Sequence, residues 1–346
     1  MAMDQGVVVV LVIGGTGFIG SAVVRALRIE GYRVISSSRA ATTSADDTIS
    51  LDVLDRDAVM SATSGVDCVV NCYRDSQSEH ESAIAIANIL DCCTANGVKK
   101  LVQFSSIAVY GDAEGLVDEW TPPVEPISWY GKAKSVAERA CHAKASSTFH
   151  IAVLRPTLVY GPRGEEWFTS FLTSIASGRL GNLGPKGEGF ANLIYVDDVA
   201  AMCATLVRSQ IPPFSIAIAN GSERVTFNSY FDEIRRVLGH EDRPTQISQS
   251  LMRKPIALSR RLGRGALKVA RRSISLFVRN ELLQKRIFHG IEHVLRSRPE
   301  DDVARRYCTT TFYVSRQAGL MNLRAPTPLH EGVANSVNWA RHAGII

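Results

Sequence analysis

At 346 residues, with 45% hydrophobic and 21% charged positions, the chain can form one large domain or two unequal ones and has a soluble, globular composition. Its net charge of +5 is uneven: residues 251–310 hold 15 Lys and Arg against 5 Asp and Glu, or +10, which leaves −5 for the rest. No stretch nears the roughly 18 apolar residues that span a bilayer, and the seven cysteines (68, 72, 92, 93, 141, 203, 308) form no CxxC pair, which argues against a zinc site or a redox dithiol.

The short run Val7 to Ile13 follows Asp4 and leads into glycines, so no secretory signal is expected, and a reduced cytoplasmic setting fits the free cysteines. VVVVLVI (7–13) reads as a buried strand, followed by a glycine-rich turn and a helix through about Ile29. YRVISSSR (32–39), VDCVVNCY (66–73) and KKLVQFSS (99–106) read as further strands. A helix over 83–96 stops at Asn96-Gly97. A proline-rich loop, a helix containing YGKAK (130–134) and the strand HIAVLRP (150–156) follow. This alternation predicts an α/β Rossmann-type, doubly wound parallel sheet over 1–160. Beyond it, glycines and prolines crowd 161–189, alternation resumes at Leu193 to Ala200, and FSIAIAN (214–220) is a strand, so part of 190–220 is expected to return to the core. The rest of 161–346 reads as a smaller, mostly helical substrate lobe, with a basic helical segment at 253–306 and a closing helix at 330–342.

GGTGFIG (14–20) stands at the strand-to-helix junction where a dinucleotide-binding fold places its phosphate loop. Gly14 permits the turn, Gly17 lets backbone approach a pyrophosphate, and Gly20 allows close helix packing; Phe18 and Ile19 supply further cofactor contacts. The second strand ends Ser36-Ser37-Ser38-Arg39 with no carboxylate for an adenosine ribose, and a guanidinium among hydroxyls suits a 2′-phosphate. NADP(H) is therefore favoured over NAD(H), against the alternative that Arg39 is a solvated loop residue. Asp52, with Val53 beside it, could accept a bond from the adenine amine, or could be a turn residue before a helix at Asp55.

Hydride transfer at carbon needs a matching proton transfer at oxygen. A phenol with a pKa near 10 is a poor base at neutral pH, but Lys134, one helical turn after Tyr130, lies on its face and favours the phenolate. SSIAVYG (105–111) supplies a hydroxyl to hold the substrate oxygen.

GGTGFIG, SSIAVYG, YGKAK, LRPTLVYGPRG (154–164) and YVDDVA (195–200) occur in the order and spacing of one family, over about 200 residues. In these motifs the chain resembles an extended short-chain dehydrogenase/reductase of the NAD-dependent epimerase/dehydratase group. The ending Leu329 to Val333 with Trp339 is also similar to the family's closing helix. The resemblance implies that Ser106 is the catalytic hydroxyl, Tyr130 the acid/base, and Lys134 the residue that lowers the tyrosine pKa and binds the nicotinamide ribose. Pro156 and the residues after it would line the nicotinamide. It further implies hydride transfer at a secondary alcohol or ketone carbon, with a nucleotide-linked sugar as the first substrate class.

Several positions depart from the family's pattern. The loop Asn71-Cys72-Tyr73-Arg74-Asp75 is unusually polar, and Ser82 replaces a frequent asparagine. Ile107-Ala108 replace the carboxylate pair of dehydratases, which disfavours dehydration. Ala191, followed by Asn192, stands where sugar-nucleotide epimerases carry a diphosphate-binding arginine; Arg163, Arg179 and Lys186 are candidate substitutes, against the favoured alternative that each is a solvated loop residue. Substrate contacts are accordingly expected at Tyr73, Arg74, Ser105, Ala108 and Asn192, and the rival reading is a carbonyl or hydroxysteroid-type reductase acting on a hydrophobic or lipid-linked substrate. The basic segment 253–306 is read as a solvated face, as a rim for an anionic substrate, or as a peripheral contact with acidic lipids; nucleic acid is not expected as a partner. Ala133, Val136, Ala137 and Ala140 are spaced for a four-helix dimer contact, or for packing on the sheet, and a homodimer is expected.

Overall fold

β1 (Val9–Ile13) lies inside a seven-stranded sheet, and its alternate side chains serve two cores. Val10 and Val12 join the cluster beneath the first and last helices, whereas Leu11 and Ile13 join the cluster on the opposite face. Both faces being covered explains why this strand is a continuous apolar run rather than an alternating one. The computed structural model describes residues 7–39, 47–74, 78–122, 124–126, 128–240 and 307–346. The basic segment 253–306, with its expected helices and its candidate lipid contact, lies outside the described residues, as does Asp75.

The chain proceeds through α1 (Phe18–Ile29), β2 (Arg33–Ser38), β3 (Thr48–Ser50), α2 (Arg56–Ala62), β4 (Cys68–Asn71), α3 (Glu79–Ala95) and β5 (Lys100–Phe104). After a short turn of 3₁₀ helix (Ile107–Tyr110) come β6 (Leu116–Val117), α4 (Trp129–Lys144), β7 (His150–Pro156) and β8 (Leu158–Tyr160). Then follow α5 (Ser170–Ala176), β9 (Leu193–Tyr195), α6 (Val196–Arg208), β10 (Phe214–Ala219), α7 (Phe227–Leu238), β11 (Phe312–Tyr313), α8 (Arg316–Leu320) and α9 (Leu329–His342). The large sheet has the order β10-β7-β5-β4-β1-β2-β3 with every pair parallel, and β8 pairs with β9 and β6 with β11 in two small ribbons. This is the Rossmann-type doubly wound architecture.

The order runs outward from β1 through β2 to β3 and then restarts on the other side at β4. Such a switch point opens a crevice at the carboxyl ends of the strands, here where Ile13 pairs with Ser37 on one side and Asn71 on the other.

Local chemistry sets the boundaries. α3 begins at Glu79, earlier than the expected residue 83, because Ser78 caps it by accepting from the Glu81 N–H at 3.3 Å and two glutamates occupy its first turn. The alternation at Leu193–Ala200 is not one strand: β9 ends at Tyr195 and α6 starts at Val196. Val196, Val199, Ala200 and Cys203 bury one helical stripe, with Asp197 and Asp198 in the first turn. α6 packs on α1, β10 extends the large sheet beside β7, and α9 packs on α7.

Candidate active site

The glycine loop lies in the crevice at the end of β1. Gly14 has φ +74°, and a Cβ there would stand 3.1 Å from the Cys72 carbonyl oxygen. A Cβ on Gly20 would overlap the Gly14 carbonyl, and one on Gly15 would overlap the Ser36 hydroxyl. Gly20 is thus needed for packing on the loop itself. Gly15, which the motif reading passed over, is tightly enclosed; its N–H also donates to the Ser37 carbonyl at 3.0 Å. Gly17 is the N-cap of α1 and supplies no side-chain cap, so the first-turn amides at Phe18, Ile19 and Gly20 remain for an anion. A Cβ-free cradle ending in uncapped amides fits the pyrophosphate of a nicotinamide dinucleotide.

At the end of β2, Ser36 and Ser37 are buried against this loop, so they support it rather than flank the Arg39 guanidinium; Arg39 itself is exposed. Asp52 is exposed, and its carboxylate accepts the Leu54 N–H at 3.0 Å, which makes it a turn former. The side chain of Val53 is buried in the core, and its carbonyl accepts from Asn88 Nδ2 at 3.0 Å.

Tyr130 and Lys134 lie on one face of α4, with Lys134 Nζ 5.6 Å from the centre of the phenol ring. Lys134 is buried and donates to the Tyr73 carbonyl at 3.2 Å. The polar loop after β4 arranges that carbonyl. Asn71 is held by a 2.8 Å bond from its Nδ2 to Gln103 Oε1, and its own oxygen accepts the Tyr73 N–H at 3.0 Å. The peculiar Asn71-Cys72-Tyr73 sequence therefore seats the lysine, through Tyr73's backbone; the Arg74 side chain is exposed. Burial pushes the Cys72 thiol up to about 12, although Lys134 opposes the shift, so it is a neutral thiol there.

Ser106 caps the 3₁₀ turn after β5, its Oγ accepting from the Ala108 N–H at 3.2 Å. Helix α4 meets this turn directly, because a Cβ on Gly131 would overlap the Ala108 carbonyl oxygen. The glycine in Tyr130-Gly131 is what lets the start of α4 pack on the serine turn. Ser105 points elsewhere: it is buried and donates to Glu138, one helical turn beyond Lys134. Glu138 also accepts from Arg155 Nε at 2.8 Å and Nη2 at 2.5 Å, while Arg155 Nη1 donates to the Tyr110 hydroxyl at 2.6 Å. Pro156 is buried at the end of β7, immediately after that arginine.

A cavity of about 780 Å³ opens beside Ile107, the neighbour of Ser106; Leu158, Trp167, Phe190, Phe227 and Tyr313 supply its apolar wall, and Asp112, Glu114 and Thr309 to Thr311 its polar one. Among the described residues, no Lys or Arg lines it. Ala191 is fully buried. Asn192 is also buried, and its amide is spent on backbone: Nδ2 donates to the Thr311 carbonyl at 2.9 Å and Oδ1 accepts the Tyr313 N–H at 3.1 Å. It anchors the segment before α8 and presents no free group to a ligand. Of the candidate substitute cations, Arg179 bonds its neighbour Ser177, Lys186 lies on a 3₁₀ turn, and Arg163 reaches the glycine loop. In the dimer stripe, Ala133 and Ala137 are buried within the chain, while Val136 and Ala140 stay half-buried.

A model of the NAD dependent epimerase/dehydratase family matches residues 10–217. The N-acetyl-alpha-D-glucosaminyl-diphospho-ditrans,octacis-undecaprenol 4-epimerase of Escherichia coli O157:H7 is 29% identical over 202 residues, which are 55% of this chain and 60% of that protein. The 2-alkyl-3-oxoalkanoate reductase of Stenotrophomonas maltophilia is 28% identical over 207 residues, 55% of this chain and 62% of that one. The chain thus spans about three fifths of the length of these curated relatives. Among solved structures, MoeE5 in complex with UDP-glucuronic acid and NAD superposes with a TM-score of 0.69 at 21% identity, covering 96% of this chain and 99% of that one, a likeness of fold.

Proposed function

Since the chain belongs to the NAD dependent epimerase/dehydratase family, we propose that it is an NADP(H)-dependent oxidoreductase or epimerase that works by hydride transfer at a secondary alcohol or ketone carbon of a nucleotide-linked sugar. The observation that carries this reading is the Tyr130–Lys134 pair on a helix that packs on the turn capped by Ser106, through the close approach of Gly131 to Ala108. When bound, the nicotinamide ring supplies or accepts the hydride. The chain's own residues handle the proton and the alignment. Tyr130 Oη takes a proton from the substrate hydroxyl, or gives one to the carbonyl oxygen. Lys134, aimed by the Tyr73 carbonyl, supports the phenolate by its charge. Ser106 holds the substrate oxygen by a hydrogen bond.

The preference for NADP(H) rests on Arg39 at the end of β2, where the sequence carries no carboxylate. The family and the fold supply the nicotinamide dinucleotide; the 2′-phosphate is this chain's own addition. A homodimer through α3 and α4 is proposed as well, with Val136, Ala140 and the exposed Ile84 as its apolar contacts in place of Ala133 and Ala137.

A second reading is favoured by the cavity. Its walls mix aromatic and aliphatic side chains with the carboxylates of Asp112 and Glu114 and with threonines, and no cation is among the described lining residues, which suits an uncharged ketone or lipid-linked substrate better than a diphosphate. Titration of the protein's fluorescence with NADPH and NADH, then with a panel of nucleotide diphosphates, tests both readings. NADPH tighter than NADH with a diphosphate response supports the sugar-nucleotide reading; NADPH binding without that response, together with turnover of hydrophobic ketones, supports the second. A clear preference for NADH sinks the role given to Arg39.

A further inference from the structure

Arg163 occupies a costly backbone position in a turn that leans on the glycine loop. The Gly164 N–H donates to the Gly161 carbonyl at 3.0 Å, closing a four-residue turn with Pro162 second and Arg163 third. Arg163 has φ +71°. A Pro-led turn with a positive φ at its third residue ordinarily has glycine or asparagine there, because a side chain in the left-handed region is strained. The turn is pressed against α1, since a Cβ on Gly164 would come 2.9 Å from the end of the Phe18 ring.

The guanidinium uses this position to reach across the loop. Nη1 donates to Ser21 Oγ at 3.2 Å and Nη2 to the Thr16 carbonyl at 3.5 Å. Those two acceptors bracket Gly17 to Gly20, the stretch whose uncapped amides form the anion cradle. Both acceptors are neutral, both bonds are long, and among the described residues no carboxylate pairs with Arg163. An exposed cation on weak neutral acceptors beside an anion cradle is poised to exchange them for charged oxygens.

We propose that Arg163 is a pyrophosphate-binding residue of the dinucleotide site, adding its charge to the amides of α1. This rests on the dinucleotide reading above, and it moves Arg163 from the substrate's diphosphate to the cofactor's. Arg163 therefore acts on both dinucleotides equally, whereas Arg39 distinguishes them.

The test is equilibrium binding of NADH, NADPH and ADP-ribose to the full chain and to Arg163→Gly and Arg163→Ala. Glycine removes the guanidinium and relieves the backbone, so Arg163→Gly is expected to fold at least as stably as the parent. The expected result is a loss of about tenfold or more for all three ligands by a common factor, a weaker dependence of the remaining affinity on salt, and partial recovery in Arg163→Lys. Unchanged affinities in Arg163→Gly, with the parent binding normally, overturn the inference and leave Arg163 a loop anchor. A loss confined to NADPH overturns it too, because it puts the guanidinium on the 2′-phosphate. A parent that binds no dinucleotide overturns the cofactor reading itself, and this inference with it.

Discussion

Arg155 on β7 and Glu138 on α4 form a two-bond fork, 2.8 and 2.5 Å long, with both side chains almost wholly buried. The same carboxylate takes the Ser105 hydroxyl, and the same guanidinium holds the Tyr110 hydroxyl, which in turn donates to the Asp118 carbonyl at 2.8 Å. The pair thereby ties together the strand end before Ser106, the helix of Tyr130 and Lys134, and the strand end at Pro156.

Breaking a buried pair leaves an uncompensated charge, which typically costs about 3–5 kcal/mol. Glu138→Leu and Arg155→Met are each expected to lower the unfolding free energy by about that much in a denaturant titration. The double replacement Glu138→Leu with Arg155→Met should cost less than either single change, as no charge is then stranded. Additive losses would show that the two residues do not act as a pair.

Tyr130→Phe removes the proposed proton carrier while leaving the ring and α4 in place. Turnover should fall by roughly 10²- to 10⁴-fold, with dinucleotide affinity changed by no more than a few-fold. Steady-state rates and fluorescence titration of the same sample separate the two quantities.

The glycines differ sharply in what a methyl group would meet. Gly20→Ala drives a Cβ into the Gly14 carbonyl, a backbone atom that cannot yield, so it should destabilise the chain by about 1–3 kcal/mol and abolish dinucleotide binding. Gly319→Ala, in helix α8 with open space around it, should be neutral or slightly stabilising. Thermal melts of the two variants make the comparison.

Six of the seven cysteines are buried or partly buried, and Cys308 alone is exposed, at the wall of the cavity. Iodoacetamide should modify Cys308 first in the native protein and all seven thiols after unfolding. A ligand that fills the cavity should slow the Cys308 reaction, which mass spectrometry reads directly and which tests the cavity as the substrate site.

Burial holds the thiols of Cys68, Cys72 and Cys141 up at about 12, whereas thiols in the unfolded chain ionise near about 8.5. Between those values the unfolded state releases protons that the native state retains. Stability from these groups is therefore complete below pH of about 8.5 and declines as pH rises towards 12, by at most about 1.4 kcal/mol per pH unit for each thiol. Urea midpoints measured from pH 7 to 11 should fall over the upper part of the range; replacing Cys141 by Ala should flatten that fall.

The parallel sheet could be read from the chain because its strands are short apolar runs between glycine, asparagine and helical stretches, a local signal. The glycine loop, Ser106, Tyr130 and Lys134 were legible for a similar reason: each requirement, a tight turn or a four-residue helical spacing, is satisfied within a few residues. The end of β9 was less legible. Leu193 to Tyr195 is an apolar run that leads straight into Val196-Asp197-Asp198 with no turn signal, and burial of Val196, Val199, Ala200 and Cys203 on one stripe makes the second part helical.

Local sequence sufficed for the principal strands and helices of the sheet and for the residue types proposed to react, since backbone sterics and side-chain periodicity act over short stretches. Tertiary packing decided which polar groups are spoken for. Ser105 looked available and is bound by Glu138, 33 residues away; Asn192 looked like a ligand contact and is locked to residues 311 and 313; Arg163 looked like a solvated loop residue or a substitute diphosphate cation and reaches Ser21, 142 residues away. Such partners are set by long-range closure of the sheet and lobe, and a buried hydrogen-bonding group takes whatever partner that closure brings within about 3 Å, which no local pattern encodes.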